Sequence, residues 1–292
     1  MPGMRSRLPL VLLALLAALA VLAGCGGAGA TFSAEDLAEA VDTTVAKGGA
    51  KIAIESQATL PGTGQLTISG GGAIDARAQR GQLTLKATDA PDLPAGIDKD
   101  DLTQEVVFDK FLVYLRSPSF APALKEGKEW VKIDLAEAGK AADVDLGALA
   151  QSGQDPTQSL RLLKAVSGDV EKVGEEQVRG VSTTRYKATI DLKKYPDTVP
   201  AKDRAAARAT IDSLTKALGT STSPIEVWIG EDDLVRRFAQ SLKLKSGEGA
   251  SSIRQRLELY DYGTDVEVTV PPADEVQDLT DLASAGIRGS KR

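Results

Sequence analysis

Alternation of apolar and polar residues constrains this chain more than any other feature. In "KIAIESQATL" the apolar residues Ile52, Ile54, Ala58 and Leu60 share one parity, and Lys51, Glu55 and Gln57 take the other. "GQLTISGGGAID" continues the pattern through Leu66, Ile68 and Ile74, and "GQLTLKAT" through Leu83 and Leu85. Successive side chains leave a pleated backbone on opposite sides, so a period of two marks a strand with one wet and one buried face. Antiparallel sheets accept such one-sided burial, whereas buried parallel strands read as unbroken apolar runs. Further on, "EVVFDKFLVYLRSP" predicts two short strands around a turn at Asp109 and Lys110, and "KEWVKIDL" another strand. After residue 168 follow "DVEKVGEEQV", "GVSTTRYKATIDL", "PIEVWIG", "DLVRRFAQSLKLK", "SSIRQRLELYDYG" and "DVEVTVPP", all of the same kind.

Helical periods interrupt the strands in three places. Ser33 can cap a first helix, with Asp36 as the reciprocal partner of a capping box. Leu37, Ala40, Val41, Thr44 and Val45 then form one stripe, and Gly48-Gly49 ends it. "DPTQSLRLLKAV" predicts a second helix within the helix-or-loop region 136–168. "PAKDRAAARATIDSLTKALG" predicts a third, with Ile211, Leu214 and Leu218 on one side and Gly219 behind. The tail "ASAGIRGSKR" has no period and is expected to be loose. About a dozen strands and three helices in this order predict an α+β fold, a curved antiparallel sheet with helices on one face. A sheet that wide curls, so its apolar face becomes a trough. Alanine-rich helices carry little volume with which to fill it.

Composition removes whole classes of function. Histidine is absent, which excludes Ser-His-Asp and Cys-His nucleophile activation, most zinc sites and the commonest general base. "DKDD" (98–101) lacks the spacing of a calcium loop, and "GEDD" (230–233) fits a hairpin turn. Hence no catalytic residue, metal or cofactor is expected, and the chain is not expected to be an enzyme. With a net charge of −6 and no basic run, nucleic acid is not an expected partner. Only twelve aromatic residues stand among many aliphatic ones, so stacking platforms for sugars or bases are few.

The amino terminus supplies an address. Arg5 and Arg7 precede an apolar run from Leu8 to about Leu22, a charged region followed by a core of secretory length, short for a membrane span. The run ends in Leu22-Ala23-Gly24-Cys25, which resembles the lipobox of bacterial lipoproteins. Cys25 is the single cysteine and abuts the glycine-rich "GGAGATF", so no disulfide partner exists. Its thiolate is the nucleophile such lipidation needs. Cleavage before Cys25 would leave 268 residues and, with two arginines and no acid lost, a charge of −8. The expected organisation is a signal peptide at 1–24, a tether at 25–32 after lipidated Cys25, a domain at 33–280 and a loose tail at 281–292. The chain would then sit on the extracytoplasmic face of the cell membrane, held by its acyl chains, which contribute about 0.8 kcal/mol per buried CH₂.

Several segments in order carry a second resemblance. "FLVYLRSP", "GKEWVKIDL", "GVSTTRYKATIDLKKY", "PIEVWIGEDDLVRRF" and "LELYDYGTDVEVTVPPADEV" are similar to the LppX–LprG group of mycobacterial lipoproteins, over about Phe32 to Val276. The resemblance implies a half-open β-barrel of about 10–12 strands with helices across its concave side, akin to the carriers LolA and LolB. It also implies binding of acylated lipids or glycolipids in an apolar cavity and their transport across the envelope, with an envelope lipid-export protein as partner and the carrier itself a monomer. On alternation alone, Ile52, Ile54, Leu66, Ile68, Leu83, Leu85, Tyr186, Ile190 and Leu242 are the expected wall residues. The alternatives are an ordinary filled core for those residues, and a surface-tethered interaction or regulatory scaffold without lipid cargo. The loops "TDAPDLPAGIDKDD" and "RSPSFAPALKEG" would then make the contacts.

Overall fold

The first helix, α1 (Ala34–Ala46), starts where its capping residues predict. Ser33 Oγ accepts the Asp36 amide at 3.2 Å, and the Asp36 carboxylate accepts the Ser33 amide at 2.6 Å. In this computed structural model the described residues are 32–60, 64–90, 98–141, 163–198, 201, 204–246 and 249–289. The expected helix "DPTQSLRLLKAV" lies mostly outside them. Its last residues, Leu163–Ala165, form a single 3-10 turn.

Twelve strands form one sheet: β1 (Gly49–Leu60), β2 (Gly64–Asp75), β3 (Arg80–Asp89), β4 (Gln104–Asp109), β5 (Leu112–Arg116), β6 (Trp130–Asp134), β7 (Glu171–Val178), β8 (Val181–Asp191), β9 (Thr222–Gly230), β10 (Val235–Ser246), β11 (Gly249–Tyr260) and β12 (Val276–Asp278). Their spatial order is β12-β6-β5-β4-β3-β2-β1-β11-β10-β9-β8-β7. The sheet is curved and does not close, because β12 and β7 are free edges. Hairpin succession covers each half, and the seam between halves is β1 against β11, in unbroken register from Lys51↔Tyr260 to Thr59↔Ser252. Both predicted turns occur, with left-handed residues at their tips: Lys110 at φ 55° and Asp233 at φ 56°. Four further helices are described: α2 (Leu135–Ala141), α3 (Arg204–Leu218), α4 (Thr280–Gly289) and a single turn at Tyr195–Thr198. From Ser33 on, the chain is one compact unit.

Two expectations are corrected. "DVEVTVPP" is not a strand. It is a strap that leaves β11 and crosses the sheet, passing so close to Gly49 that a Cβ there would lie 1.8 Å from the Thr264 carbonyl oxygen. Val266 is buried beneath it, and Val268 packs on Val107, Tyr114 and Trp130. Alternation in this segment therefore records a strap with one side down, not a partner strand. The strap delivers β12 parallel to β6, Val276 opposite Trp130, so the sheet is mixed at that edge and antiparallel elsewhere. The tail is the second correction, since α4 is a helix that packs on α2 and β6. Thr280 accepts the Asp134 amide at 2.9 Å, and Ser284 is buried. The bond from Asp134 to Thr280 fixes where this helix starts, and a contact between residues so distant in the chain cannot be read from the tail alone.

Candidate functional site: an uncharged inner wall

Facing residues of antiparallel neighbours share a side of the sheet, so the registers assemble rows across it. Around Ile52 the row is Val131, Leu115, Val106, Leu83, Gly72, Ile52, Leu259. The next runs Gln104, Leu85, Gly70, Ile54, Leu257, Phe238, Val227, Tyr186. Then come Ala87, Ile68, Ser56, Gln255, Gln240, Ile225, Ala188 and, last, Leu66, Ala58, Ile253, Leu242. All nine expected wall residues face this one side, Ile190 through its pairing with Ser223. From β6 to β8 these four rows hold no charged side chain. We call this the inner face, because α1 and α3 pack on it at β10.

The wall is uneven in depth. Ile52, Ile190, Val227 and Phe238 have no exposed surface, and Leu83 is buried, as are Leu37 and Val41 of α1. Helix α1 is tied down here by a polar pin: Thr44 Oγ1 accepts the buried Val235 amide at 2.9 Å and donates to the Ala40 carbonyl at 2.7 Å. Tyr262 donates to the Val235 carbonyl beside it, and burial pushes its phenol far above the ordinary value. That end of the wall is core. Toward the other end, Ile54, Leu66, Ile68, Leu85, Ile253 and Leu242 are only half-buried, as is Tyr186 at the β8 side. At the centre of β2, Gly70 and Gly72 face inward with no side chain, and a Cβ on either would lie 1.9 Å from a β3 carbonyl oxygen. Glycine is required there by the close approach of β3, and it deepens the wall between Ile54 and Leu85.

One residue out of phase, the chemistry inverts. The outer row opposite Glu55 reads Lys86, Ser69, Glu55, Arg256, Ala239, Glu226, Lys187. Arg237 lies against Glu176 and Glu258, both at 2.8 Å, and Arg185 against Glu226 at 2.6 Å. Arg185 and Arg237 each stack 5.1 Å from the Trp228 ring. The Trp228 indole N–H donates to Glu176 at 2.8 Å. That bond, aided by Arg237, holds the Glu176 carboxyl below its ordinary pKa. A groove of about 900 Å³ runs over this network, with Arg254, Arg256 and Glu171 also on its walls. Sequence reading missed the outer network, because it joins strands far apart in the chain. No group of three or more potential metal ligands occurs among the described residues, and no described helix is long and apolar enough to cross a membrane. Cys25 lies outside the described residues.

No family profile matches the sequence. An uncharacterized 31.2 kDa protein of Streptomyces griseus, encoded between rplA and rplJ, is 33% identical over 164 residues, 55% of this chain and 51% of that one. A candidate lipoprotein of Streptomyces coelicolor is 22% identical over 77% of this chain and 62% of its own. The chain thus spans between half and two thirds of the length of these relatives. Among solved structures it is similar to LprF of Mycobacterium bovis, at 15% identity and TM-score 0.41 over 82% of this chain and 99% of that one. The lipoprotein LppX of Mycobacterium tuberculosis is similar at 14% identity and TM-score 0.41 over 80% and 99%. A LolA-superfamily protein of Nitrosomonas europaea is similar at 9% identity and TM-score 0.27 over 82% and 95%.

Proposed function

We propose that this chain is a lipoprotein, tethered through Cys25 on the extracytoplasmic side of a membrane, that binds the acyl chains of lipids or glycolipids along the half-exposed end of its inner wall and carries them across the envelope. The observation that carries this reading is the absence of charge from the inner rows between β6 and β8. There the four rows, each four to eight strands long, offer hydrocarbon only uncharged surface, part of it still accessible, while the outer face from β1 to β8 is densely ionic. Taking a sixteen-carbon chain out of a bilayer costs on the order of 12 kcal/mol, at about 0.8 per CH₂. Only a wall of this kind offsets that cost, because each unpaired polar group against the chain would add to it. The lipobox-like end of the apolar leader supports the tether, as does the name of the Streptomyces coelicolor relative.

The test is organic extraction of the purified full-length protein, with mass spectrometry of the extract and a Leu85→Glu variant purified in parallel. Anchor lipid and detergent-borne lipid are common to both and cancel. Wild type should release a lipid that the variant lacks, and equal yields from both overturn the site. The outer groove of about 900 Å³ favours a second reading, in which the charged face of a tethered scaffold contacts a protein. Equal extracts combined with a pulled-down partner lost on Arg256→Glu would select it.

A further inference from the structure

At its centre the inner wall is interrupted by polar residues on three adjacent strands. Ser56 of β1 faces Gln255 of β11, and Gln255 faces Gln240 of β10. Each occupies a position whose strand neighbours two residues away are apolar: Ile54 and Ala58, Ile253 and Leu257, Phe238 and Leu242. All three are half-buried. Gln240 donates to the buried Ser223 hydroxyl at 2.9 Å. The side chains of Ser56 and Gln255 bond to no described residue. Neither is among the buried polar atoms without a partner, so water reaches both and no filled interior covers them. Three separate strands also place the residue at the same row, although their sequences are unrelated.

We propose that Ser56, Gln240 and Gln255 select the ligand of the inner wall by hydrogen bonding an uncharged polar linkage within it, an ester, amide or hydroxyl group. This rests on the lipid-binding reading above. A chain lying along the wall strips water from Ser56 and Gln255, and each bare hydrogen-bonding group then opposes binding unless the ligand supplies its partner. The linkage must be uncharged, because the rows from β6 to β8 contain no counter-ion and an ionised group would be buried unpaired. Hydrocarbon must extend on both sides of the linkage. The apolar rows of Ile54 and of Ala58 lie about 7 Å away in either direction, two residues along the strand. Pure hydrocarbons and single-chain ions with no internal linkage are therefore disfavoured ligands.

The experiment is competition for Nile red bound to the full-length protein, with dioctanoylglycerol as the ester ligand and n-hexadecane, delivered from cyclodextrin, as the hydrocarbon. Ser56→Ala and Gln255→Leu break no bond within the described protein, so neither should disturb folding. Gln240 is left intact because its loss would strand Ser223. Wild type should prefer dioctanoylglycerol, and the double variant should lose about tenfold of that preference, roughly the net worth of one or two hydrogen bonds. If both ligands bind and the preference is unchanged in the variant, the selector is overturned while the lipid site stands. If neither ligand displaces Nile red from wild type, the lipid site itself fails, and the selector with it.

Discussion

Replacing Leu85 by glutamate separates the wall's two duties. Leu85 stands on the inner face, opposite Gly70 and Gln104, and is half-buried, whereas Ile52 two strands away is fully enclosed. A fully buried leucine side chain is worth about 1.5–3 kcal/mol in transfer terms. Half of that, about 1 kcal/mol, is the stability expected to be lost in Leu85→Glu, since the new carboxylate can still reach water. A bound acyl chain removes that escape. The ligand then loses its contact with leucine and must cover an ionised group far from any cation of its row, the nearest being Lys172 on β7 at the far edge, at several kcal/mol. Binding should weaken at least a hundredfold, equivalent to about 3 kcal/mol. The control is Gln82→Glu on the same strand, an exposed outward position with the same added charge. Dioctanoylglycerol titration followed by Nile red displacement, beside urea unfolding of each variant, measures both quantities. If Leu85→Glu is folded and binds within threefold of wild type, the inner wall is not the binding surface. Ile52→Ala supplies the opposite contrast, a loss of about 2–5 kcal/mol of stability from a filled position.

Other perturbations probe the frame that holds the wall. Gly72→Ala places a Cβ 1.9 Å from the Gln82 carbonyl oxygen and should unfold the sheet at β2–β3, whereas Gly180→Ala, at φ 80° with open space around it, should cost only about 1–2 kcal/mol by thermal melting. Thr44→Val leaves the buried Val235 amide without its acceptor and should destabilise the protein by about 1–3 kcal/mol in urea titration, loosening α1 from the wall. Glu176→Gln tests the outer network. Because the Trp228 N–H and then Arg237 lower the Glu176 pKa, its stabilisation is complete above the ordinary glutamate value of 4.5 and fades as pH falls through the lowered one. The stability gap between wild type and Glu176→Gln, below about 1 kcal/mol for so exposed a group, should be present at pH 7 and vanish in acid. A gap that widens on acidification would refute the assigned direction.

Strand parity was fully legible. Nine residues chosen from alternation within separate segments all face one side of the folded sheet, because the direction of a side chain from a strand is a local property with period two. The cap at Ser33 and the turns at Lys110 and Asp233 were legible for the same reason, each being decided within a few residues. "DVEVTVPP" shows where such reading stops. A strap lying on a sheet and a strand paired within it both bury every second residue, and only the partner distinguishes them.

The order of the strands, the seam of β1 with β11, and the unequal depth of the wall were decided by the tertiary fold. Lys51 and Tyr260 meet across the whole chain, and nothing in either segment specifies the other. Ile52 and Ile54 have the same residue type and parity, yet one lies wholly buried and the other stays half open, because the packing around them decides where cover ends. Ser56, Gln240 and Gln255 likewise read as three stray polar residues in three segments. They become one row only when register aligns them, since hydrogen bonds between distant strands, rather than local propensity, determine which residues stand side by side.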